Sequence, residues 1–128
     1  MRQPQTVLIV DDEISNVTLL VAMLAKIGYS SVEALTSPVQ ALEVLRTSPP
    51  HILLLDLQMP DLSGFEVMEQ MAAMDVHPLV LVLTADDTEA AAERARSLGA
   101  LAILLKPFSR VELEQALDSL GTVPPESA

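Results

Sequence analysis

The chain has 128 residues, of which 50% are hydrophobic, so we predict one compact domain with a substantial core. Its 18 acidic and 7 basic residues give a formal charge of −11, which argues against binding to nucleic acid or to an anionic membrane and favours a cation or a protein as ligand. Cysteine is absent, which excludes disulfides and thiol chemistry, and no signal-peptide pattern opens the sequence, so we expect a cytoplasmic protein.

Five short apolar runs predict five β-strands. They are TVLIV at 6–10, SVEAL ending at residue 35, HILLLD at 51–56, LVLVLT at 79–84 and LAILLK at 101–106. Four of the runs show no alternation of polar and apolar residues, which is typical of parallel strands covered by helices on both faces. The second run alternates, so we predict that it forms an edge. None approaches the roughly 20 residues of a membrane-spanning helix.

Five helical segments follow the strands in turn. We predict that the first helix buries one face made of Ile14, Val17, Val21 and Leu24 and that it stops at Gly28. The predicted N-terminal caps of the other four are Ser37, Ser63, either Asp86 or Asp87, and Ser109. In the last helix the predicted buried stripe is Leu113, Leu117 and Leu120.

This alternation of strands and helices predicts an α/β fold of the (βα)₅ type. We expect a doubly wound, five-stranded parallel sheet with helices on both faces, because right-handed crossovers place successive helices in that way. We assign residues 1–121 to this domain and interpret residues 122–128 as a flexible tail or the start of a linker.

Polar residues stand where the predicted strands end. Asp11 and Asp12 follow the first strand, and Asp56, Thr84 and Lys106 end the third, fourth and fifth strands. Each residue alone could be only a cap or a loop residue. The carboxyl ends of parallel strands meet at one edge of a sheet, however, so we expect these side chains to converge on one site.

The residue types of this set favour phosphoryl chemistry assisted by a metal ion. Neighbouring carboxylates repel by about 4 kcal/mol at 4 Å and an effective dielectric near 20, so either a cation offsets them or one of them takes up a proton. Oxygen ligands suit Mg²⁺. Lys106 and Thr84 could hold a phosphoryl group, with Asp56 as its covalent acceptor. Glu13 is either a further carboxylate of this site or a residue of the first helical turn, and we favour the helix.

Four motifs resemble those of the bacterial response-regulator receiver domain. They are the pair Asp11–Asp12, DLQMP at 56–60 with Gly64, Thr84–Ala85, and KPF at 106–108. They occur in the family's order, and the resemblance runs from about residue 6 to residue 120. It implies a flavodoxin-like, CheY-like sheet with strand order 2-1-3-4-5 and a phosphoacceptor function in two-component signalling.

The resemblance also implies a metal site. Asp56 would be the phosphoacceptor and a ligand of Mg²⁺. Asp12 would bind the ion directly, Asp11 would bind it through water, and the backbone carbonyl of Gln58 would complete the site.

A second group of residues would hold the phosphoryl group. The resemblance implies that Thr84 and the backbone N–H of Ala85 bind phosphoryl oxygens, that Lys106 pairs with the group, and that the Lys106–Pro107 peptide is cis. Receivers of this kind often carry Tyr or Phe three residues before the lysine, where this chain has Ile103. We therefore expect the phosphorylated state to be read through the loop after Thr84 and the helix that follows.

By the same resemblance, the phosphodonor would be a histidine kinase or a histidine phosphotransfer protein. A homodimer or a downstream output domain would use the surface formed by the fourth helix, the fifth strand and the fifth helix. We expect a signalling module that catalyses only its own phosphorylation and dephosphorylation, and no other enzyme activity.

Two alternatives belong to other classes. An aspartate-based phosphohydrolase of the haloacid-dehalogenase type needs a second Asp two residues after the nucleophile, where this chain has Gln58. A pseudo-receiver would have lost the phosphorylation residues, which this chain retains. We therefore favour the active receiver over both.

Overall fold

The computed structural model describes residues 5–121, and the tail predicted at 122–128 lies outside the described residues. Strands and helices alternate along this range as β1 (Thr6–Val10), α1 (Ile14–Ile27), β2 (Ser31–Leu35), α2 (Pro38–Thr47), β3 (Ile52–Asp56), α3 (Gly64–Ala73), β4 (Leu79–Thr84), α4 (Glu89–Ser97), β5 (Ala102–Leu105) and α5 (Arg110–Ser119). The strands pair in parallel in the order β2-β1-β3-β4-β5. This confirms the predicted doubly wound sheet, its strand order and its edge strand β2.

The core consists of two apolar layers, one on each face of the sheet. Successive side chains of a strand point to opposite faces, so Leu53 and Leu55 of β3 enter the layer beneath α2, α3 and α4. Ile52 and Leu54 enter the layer beneath α1 and α5. All five residues of β3 are buried. Helices on both faces therefore explain why this strand shows no polar alternation.

The predicted serine caps are present at the helix starts. Ser63 and Glu66 form a reciprocal capping box at α3, and Ser109 and Glu112 form a second one at α5. Ser37 accepts a hydrogen bond from the Gln40 N–H at the start of α2. These contacts satisfy backbone donors that have no partner within the helix and fix where each helix begins.

The prediction that Asp86 or Asp87 caps α4 was wrong. The N-cap is Thr88, whose hydroxyl accepts a hydrogen bond from the Ala91 N–H at 3.3 Å. The carboxylate of Asp86 instead accepts from the Thr88 N–H at 2.9 Å. Asp86 therefore closes a turn before the helix, and the next residue with a short polar side chain takes the cap position.

The predicted buried face of α1 was partly wrong. Val17, Leu20 and Leu24 are the buried residues of this helix, whereas Ile14 and Val21 are 69% and 40% exposed. Ile14 and Val21 lie on one margin of the apolar stripe, and the helix packs with the other side of the stripe against the sheet. At 14 residues α1 is too short to cross a bilayer, and no helix within residues 5–121 is long and apolar enough to do so.

Candidate functional site

The side chains predicted to converge do lie together at the carboxyl ends of the strands. Asp56 and Thr84 end the neighbouring strands β3 and β4, while Asp11 and Asp12 follow β1. Carboxylate oxygens of Asp11, Asp12 and Asp56 all lie within 4.8 Å of one another. The ammonium nitrogen Nζ of Lys106, just after β5, lies 3.0 Å from Asp11 Oδ2 and 3.6 Å from Asp56 Oδ1. Four strands therefore build one compact charged cleft.

Asp11 is the most deeply placed of the three carboxylates, with none of its surface exposed, while Asp12 is the most exposed of them. A buried charge is costly unless it is paired and hydrogen-bonded. Asp11 meets both conditions, since Oδ2 pairs with Lys106 and Oδ1 accepts a hydrogen bond from the Glu13 N–H at 3.0 Å. The sequence reasoning missed the Lys106–Asp11 ion pair. The signal for it was a carboxylate placed directly after a fully apolar strand.

Asp56 is 3% exposed, and this burial raises the pKa of its carboxyl from 3.8 to about 6. Two contacts oppose the rise: Oδ1 accepts a hydrogen bond from the Gln58 N–H at 3.2 Å, and Lys106 lies nearby. The negative charges of Asp11 and Asp12 add to the rise. Asp56 is therefore still ionised at neutral pH, and an ionised carboxylate is a usable nucleophile toward phosphorus.

The loop after Asp56 is held by a close approach of α3. The Gly64 N–H donates to the carbonyl oxygen of Leu57 at 3.0 Å. A Cβ atom at Gly64 would stand 2.5 Å from the Asp56 carbonyl oxygen and 2.8 Å from Leu57 Cα, closer than real Cβ contacts allow. Glycine is therefore required here for packing, and its contact positions the loop that carries Gln58.

Thr84 ends β4, which neighbours the strand of Asp56 on the side away from β1. It is 1% exposed, and its Oγ1 accepts a hydrogen bond from the Asp86 N–H at 2.9 Å. The Thr84 carbonyl accepts from the Lys106 N–H at 2.8 Å, which joins the ends of β4 and β5. The Lys106–Pro107 peptide is cis, as expected. Ala85 follows Thr84 on the exposed rim.

A recess of about 350 Å³ opens beside Lys106. On one side it is lined by Ala85, Lys106 and Phe108, and on the other by Asn16 and Leu19 of α1. Lys106 therefore borders both the charged cleft and a mainly apolar hollow between α1 and the loop after β5. Sequence reasoning missed this hollow, because it depends on how α1 is rotated against the sheet.

Glu13 and the two histidines of the chain lie outside the cleft. Glu13 is not one of the clustered carboxylates, but it is the exposed N-cap residue of α1 and lies one position before the first helical turn that was favoured for it. His51 directly precedes β3, and its Nδ1 accepts a hydrogen bond from the Thr6 N–H. His77 pairs with Asp75 at 2.6 Å. Neither histidine shares the site.

Comparison with known proteins identifies the family of this chain. The family described as "Response regulator receiver domain" matches residues 7–118. The sporulation initiation phosphotransferase F of Bacillus subtilis is 31% identical over 113 residues, which cover 88% of this chain and 90% of that protein. The transcriptional regulatory protein PdtaR of Mycobacterium tuberculosis is 35% identical over 90% of this chain but only 56% of its own length.

Among solved structures, one similar protein is the receiver domain of the sensor histidine kinase PA1611 from Pseudomonas aeruginosa PAO1. It is 27% identical to this chain and superposes with a TM-score of 0.81, covering 94% of this chain and 100% of its own. That structure has a magnesium ion coordinated in its active-site cleft. These matches confirm the predicted phosphoacceptor role in two-component signalling over the haloacid-dehalogenase alternative. The chain belongs to the response regulator receiver domain family.

Proposed function

We propose that Asp56 is the phosphoacceptor of this receiver and takes its phosphoryl group from a phosphohistidine of a histidine kinase or a histidine phosphotransfer protein. The observation that carries the proposal is the placement of a buried, ionised Asp56 within reach of Lys106 and beside Asp11 and Asp12. The chemistry of this chain is then limited to gaining and losing its own phosphoryl group.

The carboxylate cluster fits a bound Mg²⁺. Its donors are all oxygens, their mutual repulsion calls for a cation, and Lys106 offsets only part of their charge. Asp12 and Asp56 would bind the ion directly, Asp11 through water, and Gln58 through its backbone carbonyl. When bound, the ion would neutralise charge on phosphoryl oxygens and orient them.

In the transfer step, an Asp56 carboxylate oxygen attacks the phosphorus of the donor. An O–P bond forms as the P–N bond to the donor imidazole breaks, and the bonding electron pair leaves with the imidazole nitrogen, which takes up a proton. Lys106 would pair with a phosphoryl oxygen, a role supported by the distance of 3.6 Å between its Nζ and Asp56 Oδ1. The hydroxyl of Thr84 and the N–H of Ala85 would donate to the remaining oxygens.

The apolar surface around the recess is suited to receive the donor protein. Ile14 and Leu19 of α1 are 69% and 52% exposed, and Leu19 also lines the recess that reaches Lys106. For the output, we propose the surface of α4, β5 and α5, where Leu105 and Val111 are 46% and 55% exposed. A second receiver or an output domain would cover these apolar side chains.

Intact-mass measurement after incubation with acetyl phosphate and Mg²⁺ tests the phosphoacceptor. We expect one added phosphoryl group on the unsubstituted protein and none on Asp56→Asn. Asp61→Asn, which removes an exposed carboxylate from the following loop, is the control and should be labelled normally. Equal labelling of Asp56→Asn would disprove the assignment, and a lack of labelling of every variant would favour the pseudo-receiver.

A further inference from the structure

A mainly apolar hollow of about 450 Å³ lies at the amino ends of β4 and β5, opposite the edge of the sheet that carries Asp56. It opens between α3, the loop before β4 and the loop before β5. Met68 and Met71 of α3 line it together with His77. The six residues of β4 span about 20 Å, so this hollow is a separate place from the charged cleft.

The two methionines bring a pair of sulfur ligands to the hollow. Met68 and Met71 stand three residues apart on α3, a spacing that places their side chains on the same face of the helix. They are 1% and 4% exposed, and both border the hollow. Leucine would fill such core positions with similar volume, but methionine adds a thioether sulfur, which is a soft metal ligand.

His77 adds an imidazole at the exposed rim of the same hollow, where Asp75 holds it. Its Nε2 lies 2.6 Å from Asp75 Oδ1. Asp75 has a φ of 58°, in the left-handed region where glycine usually follows the end of a helix, so this carboxylate occupies a position that disfavours most side chains. In metal sites a carboxylate commonly holds one ring nitrogen of a histidine while the other nitrogen binds the ion. The pairing with Asp75 leaves Nδ1 of His77 for that role.

We propose that Met68, Met71 and His77 form a site for a soft monovalent cation of the Cu⁺ class, with Asp75 orienting the histidine. Thioether sulfur and imidazole nitrogen are ligands that such a cation prefers, whereas Mg²⁺ takes oxygen ligands. The two thioethers and a neutral imidazole carry no charge, and Asp75 supplies one negative charge beside them, which balances a single positive charge. The hollow and the carboxylate cleft therefore select different cations.

Titration with Ag⁺ in a buffer without chloride tests this site, because Ag⁺ is stable in air and shares the preference for sulfur and nitrogen ligands. Calorimetry measures the affinity, and NMR of the methyl groups of the six methionines shows where the ion binds. We expect one Ag⁺ per chain, with shifts of the Met68 and Met71 methyl signals. Met71→Leu and His77→Gln should each weaken binding by tenfold or more, and Asp75→Ala should weaken it by about tenfold.

The matched controls are Met23→Leu on α1 and His51→Gln, which change the same residue types outside the hollow and should bind Ag⁺ as the unsubstituted protein does. Circular dichroism shows that each variant is folded, and the exposed position of His77 keeps His77→Gln informative if Met71→Leu is not. No binding of Ag⁺, methyl shifts confined to other methionines, or full affinity in His77→Gln would overturn the proposal. Equal losses in the control variants would do so as well.

Discussion

The substitution Asp56→Asn should stabilise the metal-free protein at neutral pH. Burial raises the pKa of Asp56 from 3.8 to about 6. The ionised carboxylate of Asp56 is therefore less stable in the folded protein than in the unfolded chain. A difference of this size corresponds to about 3 kcal/mol of unfolding free energy once the carboxyl is ionised in both states. Asparagine has nearly the same shape and carries no charge. Loss of the 3.6 Å contact with Lys106 will offset part of the gain.

The pH dependence follows from the direction of the shift. Between pH 3.8 and about 6 the folded state binds more protons at Asp56 than the unfolded state, so this residue makes stability fall as pH rises. The destabilisation by Asp56 is absent below pH 3.8 and complete above about pH 6. The unfolding free energy of Asp56→Asn should therefore exceed that of the unsubstituted protein by roughly 2 to 3 kcal/mol at pH 7.5. This difference should shrink toward zero near pH 4.

Urea unfolding in the presence of a chelator measures this difference. The chain has no tryptophan, so circular dichroism of the five helices is the suitable signal. Glu69→Gln on the exposed side of α3 controls for the loss of one negative charge and should change stability by less than about 0.5 kcal/mol. Equal stabilities of Asp56→Asn and the unsubstituted protein at pH 7.5, or an advantage that does not vary with pH, would refute the reasoning. Added Mg²⁺ should reduce the difference in stability between Asp56→Asn and the unsubstituted protein, because the cation binds the folded form in which Asp56 is ionised.

Two further substitutions test which contacts stabilise the cleft. Gly64→Ala forces a Cβ against the backbone of Asp56 and Leu57, so we expect a loss of about 1 to 3 kcal/mol of unfolding free energy in urea and weaker Mg²⁺ binding. The control Gln70→Ala, on the exposed side of α3, should change neither the stability nor the Mg²⁺ binding. Lys106→Met leaves the buried Asp11 without its cation, and we expect the unfolding free energy to fall by about 3 kcal/mol at pH 7.5 without metal. Unchanged stability would show that the ion pair does not compensate for the burial of Asp11.

The parallel (βα)₅ sheet and the convergence of the site could be predicted because they depend on features that are local in sequence, whereas the strand order was implied by the resemblance to the receiver family. Apolar runs without alternation mark buried parallel strands, and the residues at their ends must meet at one edge. This was sufficient to bring together Asp11, Asp56 and Lys106. The serine caps of α3 and α5 were predicted for the same reason, since each capping box joins residues three apart.

What could not be predicted depends on competition or on packing between distant segments. Asp86, Asp87 and Thr88 are all suitable caps, and the choice of Thr88 depends on which side chain the preceding turn already uses. The rotation of α1, which leaves Ile14 exposed, depends on contacts with the sheet and α5. The Lys106–Asp11 ion pair joins residues 95 positions apart, and no short motif encodes its distance.

The charges of the cleft also determine the conditions under which it can accept a phosphoryl group. Three clustered carboxylates face the single ammonium group of Lys106, so their ionised forms leave an excess of negative charge in a largely buried space. A phosphoryl group brings further negative charge, and the repulsion between like charges rises steeply where the dielectric is low. In the absence of a metal ion, the negative charge of the cleft would therefore repel the phosphoryl group of the proposed reaction. Under the proposed function, a cation must offset the carboxylates first, and only then would Thr84, Ala85 and Lys106 stabilise the phosphoryl oxygens.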